Sequence, residues 1–165
     1  MKKDAIYPGS FDPLTHGHIN VVERALNIFE TVTIAVAVNT GKNTVFSLAE
    51  REAMIQKVFK DHPRVSVESF EGLLVDYVAK KKNAIVIRGI RTASDFEYEL
   101  GIAQANRHLA KSFESIFMMT DPQYSFLTST MIREIVSLGG STRGMLPDFI
   151  EDALKEKFKK RREGK

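Results

Sequence analysis

Apolar residues along this chain alternate between short continuous runs and longer stretches with helical spacing. The run at 31–38 is almost entirely apolar and β-branched, as expected of a strand buried on both faces of a parallel sheet. Runs at 5–7, 84–87 and 115–119 predict three more strands, and 65–68 predicts a shorter strand nearer a sheet edge. The pattern therefore predicts five strands.

Segments with helical spacing separate these strands. Two of them begin with S-x-x-E capping boxes, at Ser47 and at Ser94. The predicted helices cover residues from about 18 to 29, 47 to 59, 73 to 81, 94 to 109, 130 onwards and 147 to 158. This alternation predicts an α/β fold, a Rossmann-like doubly wound parallel five-stranded sheet with helices on both faces. Because no linker or repeat interrupts it, residues 1–165 are predicted to form a single domain.

Composition narrows the classes of protein to consider. Apolar residues make up 43% of the 165 residues and charged residues 27%, which is typical of a globular protein. The chain has no cysteine, which excludes disulfides, thiolate catalysis and cysteine-ligated zinc. No apolar run approaches the roughly 20 residues that span a bilayer, so we expect a cytoplasmic protein without a membrane partner.

Positive charge is concentrated at the carboxyl end of the chain. Residues 155–165 contain seven Lys or Arg and two Glu, within a formal net charge of +3. A basic tail at about 159–165 could contact nucleic acid, but a solvated helix end is the favoured interpretation. We therefore predict no nucleic-acid partner.

Candidate chemistry begins directly after the first strand. The sequence reads G-S-F-D-P at 9–13 and T-H-G-H at 15–18, where a helical pattern starts. Glycine lets the backbone approach an anion, and a helix N-terminus offers unpaired N–H groups to it. Gly-rich turns of this kind also occur without a ligand. His18, in the first turn, favours a site for nucleotide phosphates.

Cations are expected at the same end of the sheet, because ligands of such folds bind beyond the carboxyl ends of the strands. Lys42 follows the second strand, and Arg88 and Arg91 follow the fourth. Arg133 comes soon after the hydroxyl-rich stretch 124–130. Any one of these could be a solvated surface side chain, but four together favour an anion site.

The T-x-G-H motif resembles that of nucleotidyltransferases related to class I aminoacyl-tRNA synthetases. Nearly the whole chain, moreover, resembles the bacterial phosphopantetheine adenylyltransferases. The segments that carry this resemblance are 7–13, 15–18, I-R-G-I-R at 87–91, D-F-E-Y-E at 95–99, N-R-H-L at 106–109 and S-F-L-T-S-T at 125–130. The R-G-x-R followed by D-F-E-Y-E is the most diagnostic part. Ser10 stands where threonine is common, and it keeps the hydroxyl.

The resemblance implies an enzyme that transfers the adenylyl group of ATP to 4′-phosphopantetheine, giving dephospho-coenzyme A and pyrophosphate. It implies Mg²⁺ carried mainly by the ATP phosphates, with no metal ligand assigned to the chain, and a homohexamer. His18 would stabilise the transition state, with Lys42 and Arg88 as the other catalytic residues. Residues implied for 4′-phosphopantetheine are Ser10, Lys42, Leu74 and Arg88. Residues implied for ATP are Ser10, Phe11, His18, Gly89, Ile90, Arg91, Glu99, Tyr124, Ser125, Phe126, Leu127, Thr128, Ser129 and Thr130.

The chemistry of such a reaction needs no protein base. The attacking phosphate has a second pKa near 6, so it is largely dianionic at neutral pH, and in-line attack requires no covalent enzyme intermediate. His18, with an ordinary pKa, is expected to titrate in the same region. Two alternatives remain open: a nucleotidyltransferase with another phosphate acceptor, and a nucleotide- or RNA-binding module without catalysis.

Overall fold

A computed structural model describes residues 3–38, 44–81 and 84–163. For residues 161–163 it describes the backbone alone. The strands in these ranges are β1 (Asp4–Gly9), β2 (Val32–Ala37), β3 (Val65–Phe70), β4 (Ala84–Ile90) and β5 (Ser115–Met119). The helices are α1 (His16–Ala25), α2 (Leu48–Val58), α3 (Leu74–Ala79), α4 (Ala93–Leu109), α5 (Ser129–Ser137) and α6 (Asp148–Glu163), with a short 3-10 turn at Pro122–Tyr124.

The five strands form one parallel sheet in the order β3-β2-β1-β4-β5. This confirms the predicted Rossmann-like α/β fold, including the placement of β3 at an edge. The chain moves outward from β1 to β3 on one side and then returns to place β4 on the other side of β1. The strand order therefore reverses between β1 and β4, where such folds form their ligand crevice.

Apolar side chains on the two faces of the sheet enter separate cores. In β1, Ala5 and Tyr7 belong to the larger core, which also takes in buried residues of α1, α2, α5 and α6. Ile6, between them, belongs to the smaller core, together with Val75 of α3. This alternation follows from the two-residue period of a strand, and it determines which helices pack on each face of the sheet.

Several predicted element boundaries differ from the structure; α1, for example, ends at Ala25 rather than near residue 29. Strand β4 does not end at residue 87 but continues to Ile90, because Val86–Ile90 pairs in register with Ser115–Met119 of β5. Arg88 and Gly89 therefore lie within the strand. Helix α4 begins two residues earlier than the Ser94 capping box predicted, since Thr92 is the N-cap and its Oγ1 accepts from the backbone N–H of Asp95 at 3.2 Å. The capping box at Ser47 is confirmed.

Most of the basic carboxyl end of the chain belongs to helix α6. Its backbone remains helical through Glu163, and Lys157 forms an ion pair of 2.6 Å with Glu50 of α2. The final two residues of the predicted basic tail, and the side chains from 161 onward, lie outside the described part of the chain. Among the described residues, no helix is both long and apolar enough to cross a membrane.

Candidate active site

A cavity of about 520 Å³ opens at the carboxyl edge of the sheet. All five strands contribute to its wall at or just beyond their ends. The lining residues are 7–11 from β1, Ala37 from β2, Phe70 from β3, Arg88, Gly89 and Arg91 from β4, and Thr120 after β5. Its position matches the reversal of strand order between β1 and β4.

Two helices begin at this cavity. Thr15, Gly17 and His18 line it from the first turn of α1, and residues 128–130 line it from the start of α5. Ser129 Oγ donates to the carbonyl oxygen of Pro13 at 2.8 Å, which joins the start of α5 to the loop before α1. The positive ends of two helix dipoles therefore face one space, which favours bound anions.

His18 is held in a defined tautomer by the cap of α1. The backbone N–H of Thr15 donates to His18 Nδ1 at 3.1 Å, and the backbone N–H of His18 donates to Thr15 Oγ1 at 3.3 Å. Because Nδ1 accepts, the proton of the neutral imidazole lies on Nε2. The histidine thus completes a capping box and keeps an N–H donor on its other nitrogen.

The charge state of His18 differs from the one expected from the sequence. Burial, and to a lesser degree the nearby guanidinium of Arg91, lower the pKa of His18 to about 4. The expectation that it titrates near pH 6 was therefore wrong, because the imidazole lies half-buried beside a cation rather than in water. At neutral pH it is an uncharged hydrogen-bond donor.

Phe11 forms the floor of the cavity beneath His18. Its ring meets the imidazole edge to face, with 5.2 Å between ring centroids, and the residue is only 2% exposed. Its backbone has a φ of +47°, which turns the ring back onto Gly9. A Cβ at Gly9 would lie 2.9 Å from Phe11 Cζ, so a side chain there would displace the Phe11 ring. The loop thereby supports the imidazole from below.

Arg88 and Glu99 form a bidentate ion pair in the cavity wall. Arg88 Nε donates to Glu99 Oε2 at 2.7 Å, and Arg88 Nη2 donates to Oε1 at 2.5 Å. Arg88 Nη1 donates to the carbonyl oxygen of Pro8 at 3.3 Å. The resemblance assigned Arg88 to the acceptor and Glu99 to ATP, so the structure joins two residues that were expected to serve different ligands.

Arg91 is held in a similar way by Asp95, one helical turn before Glu99. Arg91 Nε donates to Asp95 Oδ2 at 2.8 Å, and Nη2 donates to Oδ1 at 3.0 Å. Its Nη1 donates to the carbonyl oxygen of Leu127 at 2.9 Å. Helix α4 therefore supplies a carboxylate for each of these two arginines, at an i, i+4 spacing that places both on one helix face.

Known proteins with similar sequences were compared with this chain. Residues 6–135 match the cytidylyltransferase-like family. The phosphopantetheine adenylyltransferase of Geobacter metallireducens is 47% identical over 161 residues, which cover 98% of this chain and 99% of that protein. The enzyme of the same name from Thermodesulfovibrio yellowstonii is 44% identical over 97% of this chain and all of that protein.

The chain belongs to the phosphopantetheine adenylyltransferase family. This confirms the family expected from the motifs at 87–91 and 95–99, and with it a nucleotidyltransferase enzyme.

Solved structures support the same fold at much lower sequence identity. A bifunctional NMN adenylyltransferase/ADP ribose pyrophosphatase from Francisella tularensis has a TM-score of 0.66 at 17% identity, over 88% of this chain and 44% of that one. A Vibrio parahaemolyticus structure has a TM-score of 0.66 at 20% identity, over 96% and 95% of the two chains. At these identities, the likeness concerns the fold alone.

Most of the residues expected for a phosphopantetheine adenylyltransferase site line the cavity. They are Ser10, Phe11, His18, Leu74, Arg88, Gly89, Arg91, Glu99, Leu127, Thr128, Ser129 and Thr130. Four others do not: Ile90 is buried in the protein, whereas Tyr124, Ser125 and Phe126 belong to the 3-10 helix and the turn after it. Lys42 lies outside the described residues.

Two charged residues that the sequence did not assign to the site, Asp12 and Arg51, support its wall together with Arg133, which was among the expected cations. Asp12 and Arg133 line the cavity, and Arg133 donates to the carbonyl oxygen of Asp12 and, at 3.1 Å, to Thr130 Oγ1. Arg51 of α2, 3% exposed, lies behind the wall. Asp12 lies within the G-S-F-D-P motif, which could have identified it. Arg51, by contrast, is a single arginine in an amphipathic helix, and no sequence motif around it could have identified its role.

Proposed function

We propose that this chain transfers the adenylyl group of ATP to 4′-phosphopantetheine, forming dephospho-coenzyme A and pyrophosphate. The observation that carries the proposal is the meeting of two helix N-termini, a neutral histidine and three arginines in one cavity of a family member. We propose the cytoplasm as its place of action, in keeping with a chain that has no cysteine.

The reaction is an in-line displacement at the α-phosphorus of ATP. An oxygen of the acceptor's phosphate forms the new bond to phosphorus, the bond to the bridging oxygen between the α- and β-phosphates breaks, and pyrophosphate leaves with its electron pair. The attacking phosphate, with a second pKa near 6, is already ionised at neutral pH. The protein is then left with positioning the two anions and stabilising the charge that develops.

His18 is the group best suited to that stabilisation. The Nε2–H of its neutral imidazole can donate to a developing phosphate charge, and Thr15 and Phe11 hold the ring in place. Since the pKa of His18 is lowered to about 4, the donor is neutral throughout the physiological pH range. Donating from a neutral imidazole avoids a proton transfer to the phosphate during the reaction.

We assign the acceptor's phosphate to Arg88 and Lys42, and the acceptor's apolar arm to the side of the cavity lined by Leu74. Glu99 orients the Arg88 guanidinium, whose Nη1 donates to the carbonyl oxygen of Pro8 at 3.3 Å. The ATP phosphates are assigned to the first turns of α1 and α5, with Arg91 beside them. This arrangement separates the donor and acceptor phosphates within one cavity.

Mg²⁺ is part of the proposal, as an ion that enters with ATP. Among the described residues, no group of three or more His, Cys, Asp or Glu side chains is arranged to hold a metal. The cavity carboxylates Asp12 and Glu99 are engaged by backbone N–H groups and by Arg88. An ion held mainly by phosphate oxygens and water fits these residues, and it would supply charge neutralisation on the phosphates.

We further propose that copies of the chain associate into a homohexamer. Helix α4 has no buried residue along its 17 positions, and Phe96 and Leu109 on it are 41% and 59% exposed. The adjacent edge strand β5 exposes Ile116 and Met119. This apolar surface, here called the α4–β5 surface, is of the kind that association covers in oligomers.

The decisive experiment is turnover with a panel of acceptors. The purified chain is incubated with ATP, Mg²⁺ and either 4′-phosphopantetheine, nicotinamide mononucleotide or glycerol 3-phosphate, and products are identified by mass spectrometry. We expect dephospho-coenzyme A and pyrophosphate, with 4′-phosphopantetheine preferred over the other acceptors. Preference for another acceptor would establish the alternative enzyme. ATP binding without turnover of any acceptor would establish a binding module.

A further inference from the structure

Asp12 connects parts of the cavity wall that are far apart in the sequence. Its side chain is 4% exposed, and its carboxylate accepts from the backbone N–H groups of Val45 and Phe46, each at 2.9 Å. Its own carbonyl oxygen accepts a hydrogen bond from Arg133 of α5. One residue therefore joins the loop after β1 to the segment before α2 and to α5.

Arg51 holds the same loop from its other side. Its Nη1 donates to the carbonyl oxygen of Ser10 at 2.6 Å and to that of Ala37 at 3.2 Å. The loop is thus fixed at Ser10 to the end of β2 and at Asp12 to the segment before α2. Hydrogen bonds to buried charged groups are costly to break, so this part of the wall resists displacement.

The surroundings of Asp12 argue against a direct part in the chemistry. Each carboxylate oxygen accepts a backbone N–H, and the residue as a whole is 3% exposed. A group enclosed in this way has little freedom to approach a substrate. In addition, the acceptor's phosphate is ionised without a protein base. The role left for this carboxylate is to position the segments of chain that it contacts.

We propose that Asp12 is a positioning residue for adenylyl transfer. By fixing the loop that carries Ser10 and Phe11 to the segment at Val45 and Phe46, it holds these two cavity residues in place. A misplacement of about 1 Å can lower a rate about 10²-fold while both substrates still bind. This inference rests on the function proposed above.

The test replaces Asp12 by asparagine in the full chain. Asparagine keeps the size of the side chain but offers one carbonyl oxygen and an NH₂ group, so one of the two backbone N–H groups loses its acceptor. We expect kcat to fall about 10- to 100-fold, with both KM values within about 3-fold of the original. The acid limb of the pH profile should remain where it is. Asp61→Asn, whose side chain is 86% exposed, is the matched control.

Other outcomes would overturn the proposal. An unchanged kcat with a lowered melting temperature would show that Asp12 has a purely structural role. A rise in KM alone would show that it is a binding residue. Loss of the acid limb of the pH profile would show that it acts as a base. If Asp12→Asn does not fold, Arg51→Lys tests the same loop. We expect the same selective loss of kcat there, and an unchanged kcat would contradict the positioning role.

A second measurement separates this inference from the proposed function. Hydrogen exchange at the Val45 and Phe46 amides should be faster in Asp12→Asn than in the original protein or in Asp61→Asn. Unchanged protection would show that the carboxylate does not hold the segment. If the original chain makes no dephospho-coenzyme A, the proposed function fails, and the exchange rates still decide whether Asp12 anchors this wall.

Discussion

At the scale of single residues, His18 carries the clearest prediction. Removing one preorganised donor to developing charge typically costs about 2.7–4 kcal/mol in the transition state. We therefore expect His18→Ala to lower kcat by at least about 10²-fold while ATP affinity, measured by calorimetry, changes much less.

Two further variants control for the second role of His18 in the cap of α1. His18→Gln keeps a side chain that can complete a capping box but lacks the imidazole donor, so it should lose activity with less effect on stability. His62→Ala changes an exposed loop histidine and should be neutral. Near-normal kcat in His18→Ala would contradict the assigned role.

The pH dependence should report the acceptor rather than His18. Because the folded protein lowers the pKa of His18 to about 4, its imidazole stays neutral as pH falls from 7 towards 5. The acid limb of activity is therefore expected near pH 6, where the acceptor's phosphate takes up a proton. An acceptor analogue with a shifted phosphate pKa should move this limb by the same amount. A limb that stays fixed, with NMR showing His18 titrating there, would contradict the assignment.

The two arginine–carboxylate pairs allow donor and acceptor sites to be separated. Glu99→Gln removes the charge that orients Arg88, and we expect the KM for the acceptor to rise about 10-fold. Asp95→Asn removes the partner of Arg91, so it should weaken ATP binding instead. Steady-state kinetics with each substrate varied in turn gives the comparison. Identical patterns in the two variants would show that the division of the cavity is wrong.

The sequence predicted which residue types meet at this site but not how they pair. Arginines at 88 and 91 were expected near phosphates because they follow a buried strand. Their partners Asp95 and Glu99 were not recognised as such, because the pairing depends on where α4 crosses the strand ends. Arg51 was missed for a similar reason: its burial is a property of the packed structure, and nothing in its sequence neighbourhood distinguishes it from a surface residue.

At the scale of elements, β4 and α1 approach so closely that a side chain at Gly89 would crowd its neighbours. A Cβ at Gly89 would lie 3.0 Å from Val21 Cγ2 and 3.2 Å from the hydroxyl of Tyr7. Gly89→Ala should therefore lower the free energy of unfolding by about 1–3 kcal/mol, measured by urea denaturation. Gly101→Ala, in α4 where no atom lies within 4 Å of the added Cβ, is the control. It should be neutral or stabilising by up to about 1 kcal/mol. Equal stability of the two variants would contradict the close packing.

Local patterns specified these elements well where apolar residues are continuous in the sequence or a capping motif is present. The apolar runs of β1, β2 and β5 gave their positions directly, and the Ser47 capping box gave the start of α2. The errors fall where local and tertiary signals compete. The arginine and glycine at 88 and 89 were predicted to follow the fourth strand, but pairing with β5 extends β4 through them.

At the scale of the whole molecule, the α4–β5 surface should determine the oligomeric state. Leu109→Glu places a charge on this surface, so we expect the variant to sediment as a smaller species than the hexamer proposed for the original protein. Leu138→Glu changes a leucine that is 79% exposed but lies outside the surface, and it should leave the assembly intact. Sedimentation velocity gives both results. A monomeric original protein, or no change in Leu109→Glu, would contradict the assignment of this surface.

The fold as a whole was predictable because the alternation of strands and helices allows few topologies. The order of strands then fixed where the cavity lies. The exposure of α4 was not predictable, since its apolar residues have the same helical spacing as those of a helix packed within its own chain. Only the packed structure distinguishes a helix with an exposed apolar face from one that is packed within its own chain.

The pairing of Arg88 and Arg91 with carboxylates of α4 also affects how ionic strength acts on the enzyme. Each of these guanidinium groups already has a counter-ion within the chain, at 2.5–3.0 Å. Dissolved salt weakens attraction between charges that are open to water far more than between partly buried pairs. The arginines consequently attract few small anions from solution, and a nucleotide that binds beside them displaces few. Substrate affinity should thus depend on salt less steeply than the number of arginines in the cavity would suggest.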